Sequence, residues 1–251
     1  GEETLLRAGW DRGIEFEWSL DSAWIVFDQA DMNFNQDVFI VPSDGSAAPI
    51  NISRHPDNDG GARFSADAKA LAFSSERDGE EYDVWYVFLD RELEKLAEPE
   101  LEKYFEDAGK AAKKRKPLDP NKVRKALAAA AAAAVADAEA EPDPDASEKV
   151  ADGEGSEEEV DVPPFTTEDL ETAYLRLRKL TSLPGNESRL TMLSPGNAVL
   201  FSSSTSAPGV SGLYTVKWNG TGRKRLGDSV SMMGLSEDGG RLVAVSSGSA
   251  K

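Results

Sequence analysis

Short apolar runs recur along this chain, and each follows a serine and a tight polar turn. The repeated unit consists of one apolar residue, a serine, a turn containing Asp or Gly, and an apolar run of strand length. Asp accepts hydrogen bonds from its own backbone and Gly tolerates a positive φ, so such turns connect two antiparallel strands tightly. Four copies begin at Trp18, Phe64, Leu193 and Leu235; the second starts 46 residues after the first, and the fourth 42 residues after the third.

Two further runs complete each of the first three units. A β-branched and aromatic run follows at 37–41, 83–87 and 212–216. Another run of strand length then follows at 49–52, 174–177 and 223–226. Such composition and length are typical of strands. Four short antiparallel strands in roughly 40–50 residues predict one four-stranded blade of a β-propeller in an all-β fold. The alternative is an ordinary meander sandwich.

The repeats predict three complete blades and two partial ones. The complete blades cover 14–53, 62–181 and 189–227. Thr4 to Arg7 would be the last strand of a preceding blade, and another blade begins near Ser231. A closed propeller usually has about 4–8 blades, so we expect an incomplete ring with exposed strand edges.

A long charged insertion interrupts the second blade. We therefore divide the chain into blades at 1–89, an insertion at 90–172, and further blades at 173–251. The insertion holds 24 acids and 12 bases, a net charge of −12 out of −18 for the chain. We expect it to be partly helical, with a short helix in 91–105 and an Ala-rich helix from Asp119-Pro120 to about Ala140. The acidic run 137–171 is predicted to be disordered, and the insertion to be a solvated tether; a binding site for a partner is the alternative.

Composition excludes several classes of function. The chain has no cysteine, which excludes disulfides, thiolate metal sites and a cysteine nucleophile. Its one histidine, His55, has no activated serine motif beside it, so we interpret it as a structural loop residue. The net charge of −18 argues against binding to nucleic acid. No segment is long and apolar enough to span a bilayer. We predict no cofactor, no metal site and no catalytic residue, and we expect the chain to be a fragment of a longer protein.

Several longer stretches together carry a resemblance to a known family: 34–45, 51–59, 74–79, 83–89, 178–187 and 213–220. The sequence resembles the N-terminal propeller region of tricorn-type serine peptidases over nearly all of the chain outside the insertion. The most specific features are the Arg54-His55-Pro56 stretch and the position of the insertion after Leu89. The serine-and-turn signature alone is less specific, because TolB-like and prolyl-oligopeptidase-type propellers share it.

The resemblance implies a large peptidase whose catalytic residues lie in a domain outside this chain. The propeller would pass unfolded peptides to that domain and exclude folded proteins. The full-length protein would form a homo-oligomer, and we expect it in the cytoplasm, with the periplasm as the alternative. Two other functions stay open: a TolB-like propeller that only binds proteins, and the lid propeller of a prolyl-oligopeptidase-type hydrolase.

Three charged residues are candidates for the wall of a central channel. The innermost strand of each blade lines such a channel, and Glu17, Arg63 and Arg189 fall on the predicted innermost strands. The alternative is that these residues form salt bridges between neighbouring blades.

Overall fold

The computed structural model describes residues 4–9, 14–112, 165–193, 195–228, 230–235, 242–246 and 249–250. These residues form three sheets of four strands and one sheet of three. The first sheet contains β1 (Phe16–Trp18), β2 (Trp24–Ala30), β3 (Gln36–Pro42) and β4 (Ile50–Asn51). The second contains β5 (Asp59–Phe64), β6 (Ala70–Ser75), β7 (Asp83–Phe88) and β8 (Arg178–Lys179). The third contains β9 (Asn186–Met192), β10 (Ala198–Ser204), β11 (Gly212–Lys217) and β12 (Lys224–Gly227). The fourth contains β13 (Val230–Leu235), β14 (Leu242–Ser246) and β15 (Ser249–Ala250).

Each sheet is an antiparallel meander in chain order. We name the first three sheets blades 1, 2 and 3. The all-β class and the four-stranded propeller blades are confirmed, and within the described residues the sheets do not close into a ring. The sheet order places β1, β5, β9 and β13 at corresponding edges, where the innermost strand of a propeller blade lies.

The recurring serine and aspartate close the turn between the first two strands of a blade. In blade 1 the Ser19 hydroxyl donates to Asp21 and accepts the N–H of Trp24 at 2.9 Å. In blade 2 the Ser65 hydroxyl donates to Asp67 at 2.6 Å. Both aspartates also accept a backbone N–H two residues further on, at 3.1 Å. The motif recurs because one serine and one aspartate together satisfy the polar groups of a buried turn.

The blades pack face to face through alternating apolar residues. Between blades 1 and 2, the core includes Val26, Ile40, Phe73 and Val87. The opposite face of blade 2 packs on blade 3 through a second core that includes Tyr86, Phe88, Val199 and Phe201. Neighbouring residues of β7 therefore serve different cores, as the period of two along a strand requires.

One predicted strand, at Thr4 to Arg7, is absent from the structure. Residues 4–9 form no strand. They cover the outer face of blade 1 instead: Leu6 packs on the cluster of Ile25, Phe27 and Val41, and the Arg7 guanidinium lies over the Phe27 ring. A strand needs hydrogen-bonded neighbours, whereas this segment is held by its side chains.

The predicted fourth strand of blade 2 is displaced along the chain. Residues Ala173–Leu175 form a 3₁₀ turn, and β8 comes after it. The Arg176 guanidinium donates to the carbonyl oxygens of Phe88 at 2.5 Å and Asp169 at 2.7 Å. These bonds tie Arg176 to the end of β7 and to Asp169 of the insertion, so the strand begins only at Arg178.

The two described ends of the insertion are ordered and packed on the blades, which corrects the prediction of a solvated tether for these parts. After a 3₁₀ turn at Arg91–Lys95, helix α1 (Glu98–Ala112) buries Leu101 and Phe105. Helix α2 (Thr167–Glu171), with a capping box formed by its N-cap threonine, lies within the run predicted to be disordered. The predicted Ala-rich helix and most of the acidic run lie outside the described residues.

A cavity between the innermost strands

The two ends of the blades carry different loops. In a meander, the loops after the first and third strands lie at one end, and those after the second and fourth strands lie at the other. The insertion follows β7, a third strand, and contacts turns at its own end: the Tyr104 hydroxyl donates to Asp67, and Asn219 donates to Glu98 at 3.4 Å. The described parts of the insertion therefore make these contacts at one end of the blades and leave the opposite end uncovered.

A cavity of about 570 Å³ lies towards that opposite end, between the first three blades. Blade 1 contributes residues from β2, β3 and the segment before β1. Blade 2 contributes four residues of β5 together with Ser74 and Tyr82. Blade 3 contributes residues 187–190 of β9. The polar residues that line the cavity are Glu15, Asp28, Gln36, Asp59, Arg63, Ser74, Tyr82, Glu187, Ser188 and Arg189.

Irregular pairing shapes the two innermost strands at this cavity. The register of β5 against β6 shifts between Gly60 and Arg63, and β9 has a similar shift opposite β10. Such bulges bend a strand and turn a side chain away from its regular direction. At the bulges Gly61 has a φ of +65° and Arg189 a φ of +54°.

Asp28 is a carboxylate at the interface of blades 1 and 2. Its Oδ2 accepts the N–H of Gly61 at 3.0 Å. Burial raises the pKa of Asp28 to about 6; the Gly61 hydrogen bond and Arg63 oppose this rise, whereas Glu15 and Asp59 add to it. Asp28 therefore changes its charge near neutral pH.

Glu187 is a fully buried carboxylate that joins blade 3 to blade 2. It accepts the N–H of Val84 at 3.1 Å, the N–H of Leu183 at 3.2 Å and the hydroxyl of Thr181. Burial raises the pKa of Glu187 to about 7, and Asp83 adds to the rise, although the three hydrogen bonds oppose it. Glu187 thus links two blades through its hydrogen bonds, while burial destabilises its ionised form.

These pKa values predict that stability depends on pH. The unfolded Glu187 loses its proton near its ordinary pKa, whereas the folded residue keeps the proton up to about pH 7. The free energy of unfolding should therefore fall as the pH rises from about 4.5 to 7, by up to about 3 kcal/mol from this residue. Urea denaturation across this range should show a flatter profile for Glu187→Gln than for the wild type. Glu80→Gln is the exposed control and should follow the wild type; parallel profiles for all three proteins would contradict the assignment.

The structure places the three predicted channel residues at two kinds of site. Arg63 and Arg189 both line the cavity, on β5 and β9. A guanidinium nitrogen of Arg63 donates to the carbonyl of Ala62 at 2.7 Å. Glu17 joins two blades instead: its Oε2 accepts the N–H of Phe64 at 2.9 Å, and burial raises its pKa. Its contact resembles the predicted bridge between blades, although the donor is a backbone N–H rather than a cation.

Sequence reasoning missed Asp28, Tyr82 and Glu187. One signal was available for Asp28, because an acid inside the strand Trp24–Ala30 is unusual and such buried acids mark interfaces or sites. Glu187 lies between the blades predicted at 62–181 and 189–227, outside every predicted strand. The single histidine, His55, is outside the set of cavity residues; its Nδ1 accepts the N–H of Asp57 at 3.3 Å.

The described ranges contain neither a metal site nor a membrane-spanning helix. There, no group of three His, Cys, Asp or Glu side chains is arranged to hold a metal ion. The helices in the same part of the chain are all too short or too polar to cross a membrane.

Comparison with known proteins gives the fold but no close relative. No family model matches the chain, and no curated protein matches it. Among solved structures, TolB from Acinetobacter baumannii is similar over 94% of this chain, with 14% identity and a TM-score of 0.51. The crystal structure of the tricorn protease is similar over 92% of this chain, with 13% identity and a TM-score of 0.50. The chain has the fold of a tricorn- or TolB-like propeller region. It spans 20% of the tricorn chain and 39% of the TolB chain.

Proposed function

We propose that this chain is the non-catalytic propeller part of a tricorn-like serine peptidase, in which it admits unfolded peptides to a separate protease domain. The observation that carries the proposal is the cavity between β5, β9 and blade 1. Innermost strands build it, at the end of the blades that the described parts of the insertion leave open.

The lining of the cavity suits an extended polypeptide. Every residue of a peptide other than proline offers one N–H and one carbonyl oxygen. The cavity offers partners for both: guanidinium groups of Arg63 and Arg189 as donors, carboxylates of Glu15 and Asp28 as acceptors, and the amide of Gln36 as either. A folded protein has already paired its main-chain groups, so it gains less from such a lining.

A TolB-like protein-binding scaffold is the second candidate. The likeness to TolB is as extensive as the likeness to the tricorn protease. The same cavity would then bind a segment of a partner protein, with no protease domain involved. The two functions differ in what they select, because a gate selects the unfolded state whereas a scaffold selects a particular partner.

The experiment that distinguishes these two functions measures binding of the same probe protein in its folded and in its unfolded state. The probe is a fluorescent small disulfide-bonded protein, used native and after reduction and alkylation of its cysteines. The gate predicts that the chain binds the unfolded form at least about tenfold more tightly than the native form, a difference of about 1.4 kcal/mol. A second unrelated unfolded protein should bind similarly. Equal affinity for both states, or binding of neither, would contradict the gate.

A further inference from the structure

The bulges of β5 and β9 are equivalent, but they carry different residues. The last paired residues of the two strands are Phe64, opposite Leu71, and Met192, opposite Val199. Gly61 and Arg189 each lie three residues before that point, and both have a positive φ, of +65° and +54°. The blades therefore place a glycine and an arginine at the same position of the same irregular strand.

An arginine at this position is unfavourable for the backbone. Glycine adopts a positive φ without steric conflict, whereas a residue with a Cβ is disfavoured there. Blade 2 shows that glycine is compatible with the bulge. Residues held in strained conformations cluster at functional sites, which directs attention to the arginine of blade 3.

The bulge position opens into the cavity. A Cβ added to Gly61 would meet no heavy atom within 4 Å, so space is available there for a side chain. At the equivalent position of blade 3, the exposed Arg189 lines the cavity. The same cavity holds Glu15 and Asp28, whose carboxylates oppose the entry of an anionic ligand. A neutral carbonyl oxygen can accept from a guanidinium without that repulsion.

We propose that Arg189 holds the main chain of an extended peptide in the cavity, through hydrogen bonds from its guanidinium to peptide carbonyl oxygens. The proposal rests on the proposed passage of unfolded peptides through this site. Recognition through carbonyl oxygens is independent of peptide sequence, because every residue has one.

The test uses two substitutions of Arg189 and a matched arginine. The probe is a fluorescein-labelled, end-capped peptide of Ala, Gly and Ser, titrated against the full chain and followed by anisotropy. Arg189→Gly should weaken binding about tenfold or more, as expected for the loss of charge-assisted hydrogen bonds. Arg189→Lys keeps the positive charge but loses the planar set of guanidinium N–H donors. Its affinity for the peptide should lie between those of Arg189→Gly and the wild type. The thermal midpoint of Arg189→Gly should be no lower than that of the wild type, because glycine relieves the backbone.

Arg54 provides the matched control. It is the other arginine with a positive φ among the described residues, at +46°, and it is outside the set of cavity residues. Arg54→Gly should leave peptide affinity unchanged.

If the wild type binds and Arg189→Gly binds equally well, this inference is wrong and the proposed function stands. Loss of affinity together with a lower thermal midpoint in Arg189→Gly would assign a structural role instead. If the wild type binds no unfolded peptide, both proposals fail.

Discussion

Replacing Arg77 with methionine should lower the free energy of unfolding by about 3–5 kcal/mol, the range expected when one partner of a buried ion pair is removed. The Asp59 side chain has no exposed surface, and Arg77 donates to both of its oxygens at 3.2 Å. The same guanidinium donates to the carbonyl of Ser53 and lies over the rings of Phe73 and Trp85. Methionine fills part of the space but leaves the buried Asp59 carboxylate without its cation, although hydrogen bonds from Ser75 and Ser53 remain.

The effect should depend on pH in a defined direction. Burial raises the pKa of Asp59, and Arg77 is among the groups that lower it. Without the guanidinium, that pKa should rise further, so the variant can protonate Asp59 in acid and avoid a buried charge. Urea denaturation should therefore show a smaller loss near pH 5 than near pH 8. Arg91→Met is the control; Arg91 is largely exposed and 3.7 Å from Asp169, so its loss should stay below about 1 kcal/mol. A loss that is the same at both pH values would contradict this account of Asp59.

Replacing Phe105 with alanine should lower the free energy of unfolding by about 3–4 kcal/mol, because a large buried side chain is lost and a cavity remains. Phe105 is 4% exposed, and its ring centroid lies 6.3 Å from that of Phe88 and 6.0 Å from that of Trp218. It anchors α1 to blades 2 and 3, so the substitution should also loosen this helix. Denaturation in urea measures the first effect, and hydrogen exchange of α1 the second.

Its neighbour on the helix supplies the control. Glu106 is exposed, and its Oε1 pairs with Lys110 Nζ at 2.8 Å. Glu106→Ala should therefore cost no more than about 0.5 kcal/mol. If Phe105→Ala were no more damaging than Glu106→Ala, α1 would not be anchored as the structure indicates.

Local chemistry made the blades predictable from the sequence. Ser19 and Asp21 satisfy a turn by contacts within a few residues, and the strands beside them alternate between two apolar faces. Information of this kind is present in any short window of the sequence. The displaced fourth strand of blade 2 was missed because Arg176 is tied by a hydrogen bond to Phe88, which lies 88 residues earlier.

The site and the packing of the insertion depend on distant contacts. Gly61 and Arg189 occupy equivalent bulges, yet the sequence repeats alone align them one residue out of step. Overall charge suggested a solvated insertion, whereas Leu101 and Phe105, four residues apart on one face of α1, decide where that helix packs. The net charge of a segment does not show that its apolar residues lie on one face of a helix, so it did not predict this contact.

Hydrogen–deuterium exchange of the chain, with and without a saturating unfolded peptide, tests most directly whether the cavity binds such peptides. The proposal predicts slower exchange at 59–63 and 186–190, the segments of β5 and β9 at the cavity, and unchanged exchange in α1 at the other end of the blades. Protection confined to α1 and its neighbouring turns, or no protection anywhere at saturation, would contradict it.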